Sequence, residues 1–253
     1  DDDIEHQVIT YIWDYSRPEY LFTNYAITRA ISGYYANKMS VIIPFFPVWT
    51  MERISEKWEV ATSRYFADIL GHIPVWRTWK TWIHIFDLHT LEQRFFFDDF
   101  KVNPELHTAM DLIKWEISLN TVIVFPDEWA KKRFKNEFAW YEVIACSKLR
   151  VWDKREITIN DWNVLWKEVL IVDDLIQSWG TIIETAKKLR ELWATKVQAF
   201  ATHWVFVWES VKNLTSSLDI LFTTDSLPKN LGLAWEFKNL KVLWIKKLIL
   251  DKI

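Results

Sequence analysis

Glycine is scarce in this chain, and the marks of several common protein classes are missing. The 253 residues include 4 glycines, whereas ordinary usage of about 7% would give about 18. The single cysteine, Cys146, excludes an internal disulfide framework and favours a reducing compartment, so we expect a cytoplasmic protein. No apolar run approaches the length of a membrane-spanning helix, and the acidic start DDDIEH lacks the basic region of a signal peptide.

The charge balance gives no reason to expect a polyanionic partner. The formal net charge is -3, and charged residues make up 26% of the chain. We therefore expect neither nucleic acid nor a membrane as a partner. Hydrophobic residues make up 50%, enough to bury the core of one large domain or two small ones.

Tryptophan is in excess by about as much as glycine is deficient. The chain has 18 tryptophans, which together with the 4 glycines make 22 residues, close to an ordinary glycine total. The tryptophans cluster in turns and follow neither a helical nor a strand period, so packing in a core does not explain them.

Short apolar runs alternate with amphipathic stretches along the chain. Six β-rich runs that end in polar residues predict buried strands: Lys38–Phe46, Thr81–His89, Leu119–Asp127, Glu168–Asp174, Lys196–His203 and Leu218–Asp225. Apolar spacing predicts helices at 59–73, 105–117 and Thr181–Ala194. This alternation predicts parallel sheets with helices on both faces, and ligands beyond the carboxyl ends of the strands. The segment 105–114 is the best candidate for a boundary between two α/β halves.

The stretch VLIVDDLIQSWGTII, Val169 to Ile183, combines an apolar strand, two acids, a polar turn and a helix. Two adjacent acids at a strand end can hold the vicinal hydroxyls of a ribose. The turn and the helix N-terminus can hold its 5′-phosphate through backbone N–H groups and the hydroxyls of Ser178 and Thr181. The plainer interpretation is a strand–turn–helix with an acidic cap, but the whole string is more specific than the acid pair alone.

This string resembles the phosphoribosyl-pyrophosphate loop of type I phosphoribosyltransferases and of ribose-phosphate diphosphokinases, the PRPP synthetases. Five further segments resemble the synthetases in the same order: IFDLHTLEQRFFF at 85–97, FPDEWAKKRF at 125–134, CSKLRVWDKR at 146–155, FATHWVF at 200–206 and TTDSLP at 223–228. The segment 45–70 resembles the divergent, plant-type class. The resemblance covers nearly the whole chain.

The resemblance implies an α/β fold of two phosphoribosyltransferase-like parallel-sheet domains related by a pseudo-twofold duplication. We expect an N-terminal domain at 1–110 on the ATP and Mg²⁺ side, and a ribose 5-phosphate domain at 111–235. The segment 236–253 is expected to pack back on the first domain as a strand and a helix. By the same resemblance, we expect the given sequence to start after much of the strand–helix region with which synthetases usually begin.

The implied reaction moves the diphosphoryl group of ATP to the C1 hydroxyl of ribose 5-phosphate and releases AMP, with Mg²⁺ as cofactor. By resemblance the metal site includes Asp87, His89, Asp127 and, more weakly, Asp98, and the nucleotide site includes Glu52, Arg53 and His89. Lys148, Arg150 and His89 are the expected catalytic residues. The expected ribose 5-phosphate site comprises Asp127, Asp173, Asp174, Gln177, Ser178, Trp179, Gly180 and Thr181. Relatives assemble as homo-oligomers, so we expect the same here.

Two rival functions remain at this point. A phosphoribosyltransferase that consumes PRPP needs only the Asp173–Thr181 loop, but it leaves the segment 85–97 unexplained. A non-catalytic protein associated with PRPP synthetase would share the fold and carry a damaged site.

The family usually has glycine where this chain has tryptophan at seven positions: Trp49, Trp58, Trp129, Trp152, Trp179, Trp193 and Trp204. Trp179 would put an indole where the phosphate should lie, and Trp129 and Trp204 would crowd turns that need positive φ or a close backbone approach. Our hypothesis is that a codon decoded as glycine in the source, such as a reassigned UGA, has been read as tryptophan.

Overall fold

A computed structural model describes residues 4–250 except 16, 18, 35, 49–50, 74–79, 99, 152–153, 159–163, 177–178 and 206–207, and it leaves the side chains of 147–151, 154–158 and Trp208 undescribed. Contacts divide the chain after Thr108, with a second unit at Ala109–Leu250. Within the described residues, no helix is both long and apolar enough to cross a membrane.

The first unit contains a parallel sheet in the order β1-β2-β3-β4. Its strands are β1 (Val8–Ile12), β2 (Lys38–Ile43), β3 (Thr81–Phe86) and β4 (Val102–His107), and its helices are α1 (Tyr20–Gly33), α2 (Thr62–Gly71) and a 3₁₀ helix at Leu91–Phe96. The consecutive β-branched residues Val41, Ile42 and Ile43 of β2 are all buried. Such runs are typical of strands covered on both faces, which parallel pairing produces.

The second unit contains a six-stranded parallel sheet in the order β12-β11-β10-β9-β5-β6. Its strands are β5 (Val122–Phe125), β6 (Val143–Ala145), β9 (Glu168–Ile176), β10 (Lys196–Trp204), β11 (Ile220–Thr224) and β12 (Leu240–Leu243). Its helices are α3 (Met110–Lys114), α4 (Glu128–Phe134), α5 (Gly180–Glu191), α6 (Trp208–Ser217), α7 (Lys229–Glu236) and α8 (Lys246–Leu250). A separate antiparallel ribbon joins β7 (Ser147–Val151) to β8 (Lys154–Thr158).

The order of the large sheet reverses between β5 and β9. From β5 the chain moves outward to β6, whereas from β9 it moves the opposite way through β10 and β11 to β12. Because the connections leave these two neighbours in opposite directions, a crevice opens outside their carboxyl ends, which is where open α/β sheets bind ligands.

The α/β fold with parallel sheets is confirmed, and all six predicted strands are present. The predicted helix at 105–117 is wrong in its first part, because Glu105–His107 completes β4 and α3 begins at Met110. β12 and α8 form the expected strand and helix of segment 236–253, and they belong to the second unit. That this segment packs on the first half stays a prediction.

Candidate active site

The carboxyl ends of β5 and β9 bring three acidic residues to the crevice of the second sheet. Asp173 and Asp174 lie in the last part of β9, and Asp127 follows β5 and caps α4. The Asp127 carboxylate accepts a hydrogen bond of 2.9 Å from the backbone N–H of Ala130. This cap holds one carboxylate beside the two on β9.

Arg133 holds the second acid of the pair. Its guanidinium donates a 3.0 Å hydrogen bond to Asp174 Oδ2, and both side chains are buried. The backbone N–H of Asp174 in turn donates to Asp173 Oδ1 at 2.9 Å. The ion pair therefore fixes Asp174, while its own backbone orients Asp173.

The electrostatics of this cluster favour a cation or a hydroxyl-rich ligand. Burial raises the pKa of the Asp173 carboxyl well above its usual range, and the negative charges of Asp174 and Asp127 raise it further. Carboxylates that repel one another in a partly dry crevice gain stability when a cation or hydroxyl donors approach.

The turn after β9 leads into the N-terminus of α5. Gln177 and Ser178 lie outside the described residues, whereas Trp179 is the N-cap residue and is 42% exposed. The side chain of Trp179 makes no capping hydrogen bond to α5, and the first N–H groups of a helix have no partner within the helix. A Cβ placed on Gly180 would meet open space, and Thr181 is partly buried. The described part of this turn can therefore receive an anion.

The neighbouring strand ends carry a polar network that the sequence did not single out. His203 Nδ1 lies 3.0 Å from Ser226 Oγ, and the Thr224 hydroxyl donates to the carbonyl of Thr202 at 2.7 Å. Asp225 accepts a 2.7 Å hydrogen bond from the N–H of Ile245, and burial raises its pKa. Most of these residues lie in the quoted segments FATHWVF and TTDSLP, but their pairing is visible only in three dimensions.

In the first unit, Asp87 follows β3 in a backbone conformation that is unusual for a residue other than glycine. Its φ is 40°, it is buried, and its N–H donates to the carbonyl of His107 at 2.9 Å. His89, two residues later, is partly buried. Strained backbone of this kind is concentrated at functional sites.

The other predicted residues of the first unit lie in irregular segments. Glu52 is mostly buried beside exposed Arg53, with 3.5 Å between carboxylate and guanidinium, and among the described residues Glu52 Oε2 has no hydrogen-bond partner. Asp98 lies in an exposed turn, where its carboxylate accepts from the N–H of Phe100 and pairs with Lys101. That local use makes Asp98 the least suited of the predicted metal ligands.

Lys148 and Arg150 lie on β7, where they pair with Ile157 and Arg155 of β8. The backbone of their segment is therefore an antiparallel ribbon.

Two of the seven tryptophans at family glycine positions have the backbone that glycine favours. Trp58 has φ 81° and Trp193 has φ 65°. Trp166 also has positive φ, 60°, although it is not among those seven positions. Trp129 and Trp204 do not have positive φ, because the first lies inside α4 and the second ends β10. A close backbone approach, the other reason expected for glycine there, stays a prediction. Two others, Trp49 and Trp152, lie outside the described residues.

Comparison with known proteins identifies relatives by sequence and by fold. No family model matches the chain. It is 33% identical over 239 residues to ribose-phosphate pyrophosphokinase 4 of Arabidopsis thaliana, which covers 90% of this chain and 71% of the relative. It is 35% identical over 214 residues to the chloroplastic ribose-phosphate pyrophosphokinase 3 of the same plant, covering 83% of this chain and 52% of the relative.

A solved structure shares the fold. Phosphoribosylpyrophosphate synthetase from Mycobacterium smegmatis superposes with a TM-score of 0.78 over 100% of this chain and 83% of that chain, at 22% identity. The two parallel-sheet units thus have the architecture implied by the resemblance of the sequence segments to PRPP synthetases. On the strength of the sequence identity, the chain belongs to the ribose-phosphate pyrophosphokinase family.

Proposed function

We propose that this protein is a ribose-phosphate diphosphokinase, which transfers the β,γ-diphosphoryl group of ATP to the C1 hydroxyl of ribose 5-phosphate and yields PRPP and AMP. The observation that carries the proposal is that acidic side chains and the N-terminus of α5, which the side chain of Trp179 does not cap, lie at the reversal between β5 and β9. That arrangement suits a sugar phosphate, because the acids can bind hydroxyls while the helix end binds the phosphate.

Asp173 and Asp174 are assigned to the ribose hydroxyls, since carboxylate oxygens accept hydrogen bonds from a vicinal diol. The residues Gln177–Thr181 are assigned to the 5′-phosphate, with the dipole of α5 adding a favourable positive field. The indole of Trp179, at the N-cap, stands where the phosphate would approach. Glycine at this position would open the turn, in agreement with the codon hypothesis.

Magnesium is the proposed cofactor, and the donor set fits it. Mg²⁺ prefers oxygen ligands, and each unit taken by itself offers a carboxylate: Asp127 in the crevice of the second sheet, and Asp87 at the end of β3 in the first unit. His89 would act at the same nucleotide site, directly or through a water molecule, and Asp98 is the weakest candidate. Bound Mg²⁺ would offset the charge of the triphosphate.

The remaining roles concern the nucleotide and the transferred group. Glu52, whose buried Oε2 lacks a partner among the described residues, is suited to accept from an amino group of the base, and Arg53 would contact the same nucleotide. Lys148 and Arg150 on the β7–β8 ribbon would stabilise the charge that develops during transfer.

Assembly and location belong to the same proposal. We propose a homo-oligomer, supported by the exposed apolar side chains Val8 and Ile12 on the outermost strand of the described first sheet. A cytoplasmic location is supported by the cysteine content, because a single cysteine cannot form an internal disulfide framework.

The test is an assay of AMP release with ATP, Mg²⁺ and ribose 5-phosphate, using the chain with glycine at the seven family positions. AMP should appear only when all three components are present, and Asp173→Asn should abolish it. The matched control Asp68→Asn alters an exposed acid on α2 and should retain the activity.

The same assay separates the rival functions. A folded sample that releases no AMP would support the non-catalytic synthetase-associated protein. Release of pyrophosphate from PRPP that depends on a nucleobase would support the phosphoribosyltransferase.

A further inference from the structure

Two strands of the first sheet bring three metal-binding side chains to one face. β3 and β4 run parallel, and their register pairs His84 with Glu105. Because side chains alternate along a strand, His107 projects on the same face as Glu105. The three residues therefore converge although 23 positions separate the two histidines.

The nitrogen and oxygen atoms of this cluster lie at distances close to those around a metal ion. His84 Nδ1 is 2.9 Å from His107 Nε2 and 3.4 Å from Glu105 Oε2. One ligand atom from each residue lies within 4.8 Å of the others. Zn–N bonds of about 2.0–2.1 Å in a tetrahedral site place neighbouring ligand atoms about 3.3 Å apart.

The two imidazoles meet nearly in one plane. Their ring centroids are 5.1 Å apart and their planes differ by 15°, so the facing nitrogens share a hydrogen bond. A metal ion would take the place of the shared proton. The rings would need to turn and their nitrogens to separate by about 0.4 Å to reach tetrahedral spacing.

The cluster is shielded from solvent on the side of the two histidines and is open to solvent at Glu105. The His84 side chain is 9% exposed and stacks on Trp82 at 6.3 Å, while Phe86 packs against His107 at 5.3 Å. The Glu105 side chain is 45% exposed, which leaves room for ion entry and for a water molecule as fourth ligand.

We propose that His84, Glu105 and His107 form a binding site for a divalent transition metal such as Zn²⁺. Two imidazoles and one carboxylate select zinc-like ions, whereas Mg²⁺ prefers oxygen ligands. The site bridges β3 to the outermost described strand β4, so the metal stabilises that edge of the first unit. The proposal does not depend on the proposed function.

Calorimetric titration of the untagged full chain with Zn²⁺ in millimolar Mg²⁺ tests the site. One Zn²⁺ should bind with the same affinity whether or not Mg²⁺ is present, because the two ions prefer different ligands. His84→Gln and His107→Gln should each weaken binding by at least about tenfold, since each removes one of three protein ligands. His72→Gln is the matched control, because His72 is exposed outside the cluster, and it should leave the affinity unchanged.

Two results would overturn the proposal. One is Zn²⁺ affinity that is unaltered in both histidine variants, and the other is displacement of Zn²⁺ by Mg²⁺. Should a variant fail to fold, zinc-edge X-ray absorption of the unaltered protein decides the question. Scattering from two imidazoles and additional oxygen supports the site, and its absence refutes it.

Discussion

Trp193 offers the sharpest test of the idea that some tryptophans occupy glycine positions. It follows the last residues of α5 with φ 65°, and its N–H donates to the carbonyl of Arg190 at 3.0 Å. The N–H of Ala194 donates to the carbonyl of Leu189 at 3.1 Å. These two bonds and the positive φ define a Schellman ending, in which the residue at Trp193 is usually glycine.

The expected difference in stability between glycine and alanine at position 193 follows from two opposing contributions. The left-handed conformation costs a residue with a Cβ about 1–2 kcal/mol, whereas glycine loses about 0.5–1 kcal/mol more backbone entropy on folding. Glycine should therefore be favoured over alanine by about 1 kcal/mol. The indole itself is 64% exposed and lies 6.1 Å from the ring of Trp166, so removing it costs little.

The comparison is Trp193→Gly against Trp193→Ala, because both variants lose the indole and differ only in backbone freedom. Unfolding by denaturant, followed by circular dichroism, should show the glycine variant more stable by about 1 kcal/mol. Trp235 provides the opposite control, since it is 91% exposed and lies inside α7. There the alanine variant should be the more stable, by about 0.5–1 kcal/mol. If alanine equals or exceeds glycine at Trp193, the explanation from backbone strain is wrong.

Three further predictions concern the crevice of the second sheet. Asp173→Asn should raise the melting temperature of the ligand-free protein at pH 8, and this increase should disappear towards pH 4. The pKa of Asp173 is higher in the folded than in the unfolded chain, so its ionisation opposes folding at any pH above the unfolded pKa of about 4. An increase in melting temperature that became larger at lower pH would contradict this. Arg133→Met should lower the free energy of unfolding by about 3 kcal/mol, because it leaves Asp174 buried without this ion pair; denaturant titration measures it, and a loss below about 1 kcal/mol would count against the buried ion pair. Trp179→Gly should tighten ribose 5-phosphate binding in calorimetry by about tenfold without the stabilisation expected at Trp193, because its φ is −79°; unchanged affinity would remove the indole from the phosphate site.

The sheets were predictable because their strands are continuous apolar runs. β5, β9 and β10 are buried on both faces, and a buried parallel strand needs no alternation of polar residues. β4 was missed for the opposite reason: only Val102 and Pro104 are buried along its length, and Glu105–His107 led into a helical pattern. Its position at the edge of the described sheet explains this mixed composition.

The acids of the candidate site were predictable, but their partners were not. Asp173 and Asp174 stand at the end of an obvious strand, whereas Arg133 is 41 positions away from Asp174 and meets it only through the pairing of β5 with β9. The proximity of His84 and His107 could not be predicted either, because it results from the register of β3 with β4. Contacts set by sheet pairing leave no local pattern in a single sequence.

The tryptophan hypothesis now has backbone support at specific turns. Among the described residues, three of the five non-glycine residues with positive φ are tryptophans, and no glycine has positive φ. Trp58 illustrates the point, because it is the third residue of the Glu56–Glu59 turn at φ 81°, a position that favours glycine. The gene decides the matter: UGA codons at Trp58 and Trp193 support the hypothesis, and UGG codons end it.

The most direct test of diphosphoryl transfer is ³¹P nuclear magnetic resonance of the products formed from ATP, Mg²⁺ and ribose 5-phosphate. The proposed reaction predicts AMP and PRPP in equal amounts, with the transferred diphosphate bonded as one unit to the C1 oxygen through its former β-phosphorus. ADP with a singly phosphorylated sugar product, or unchanged substrates from a folded sample with glycine at the seven positions, would contradict it.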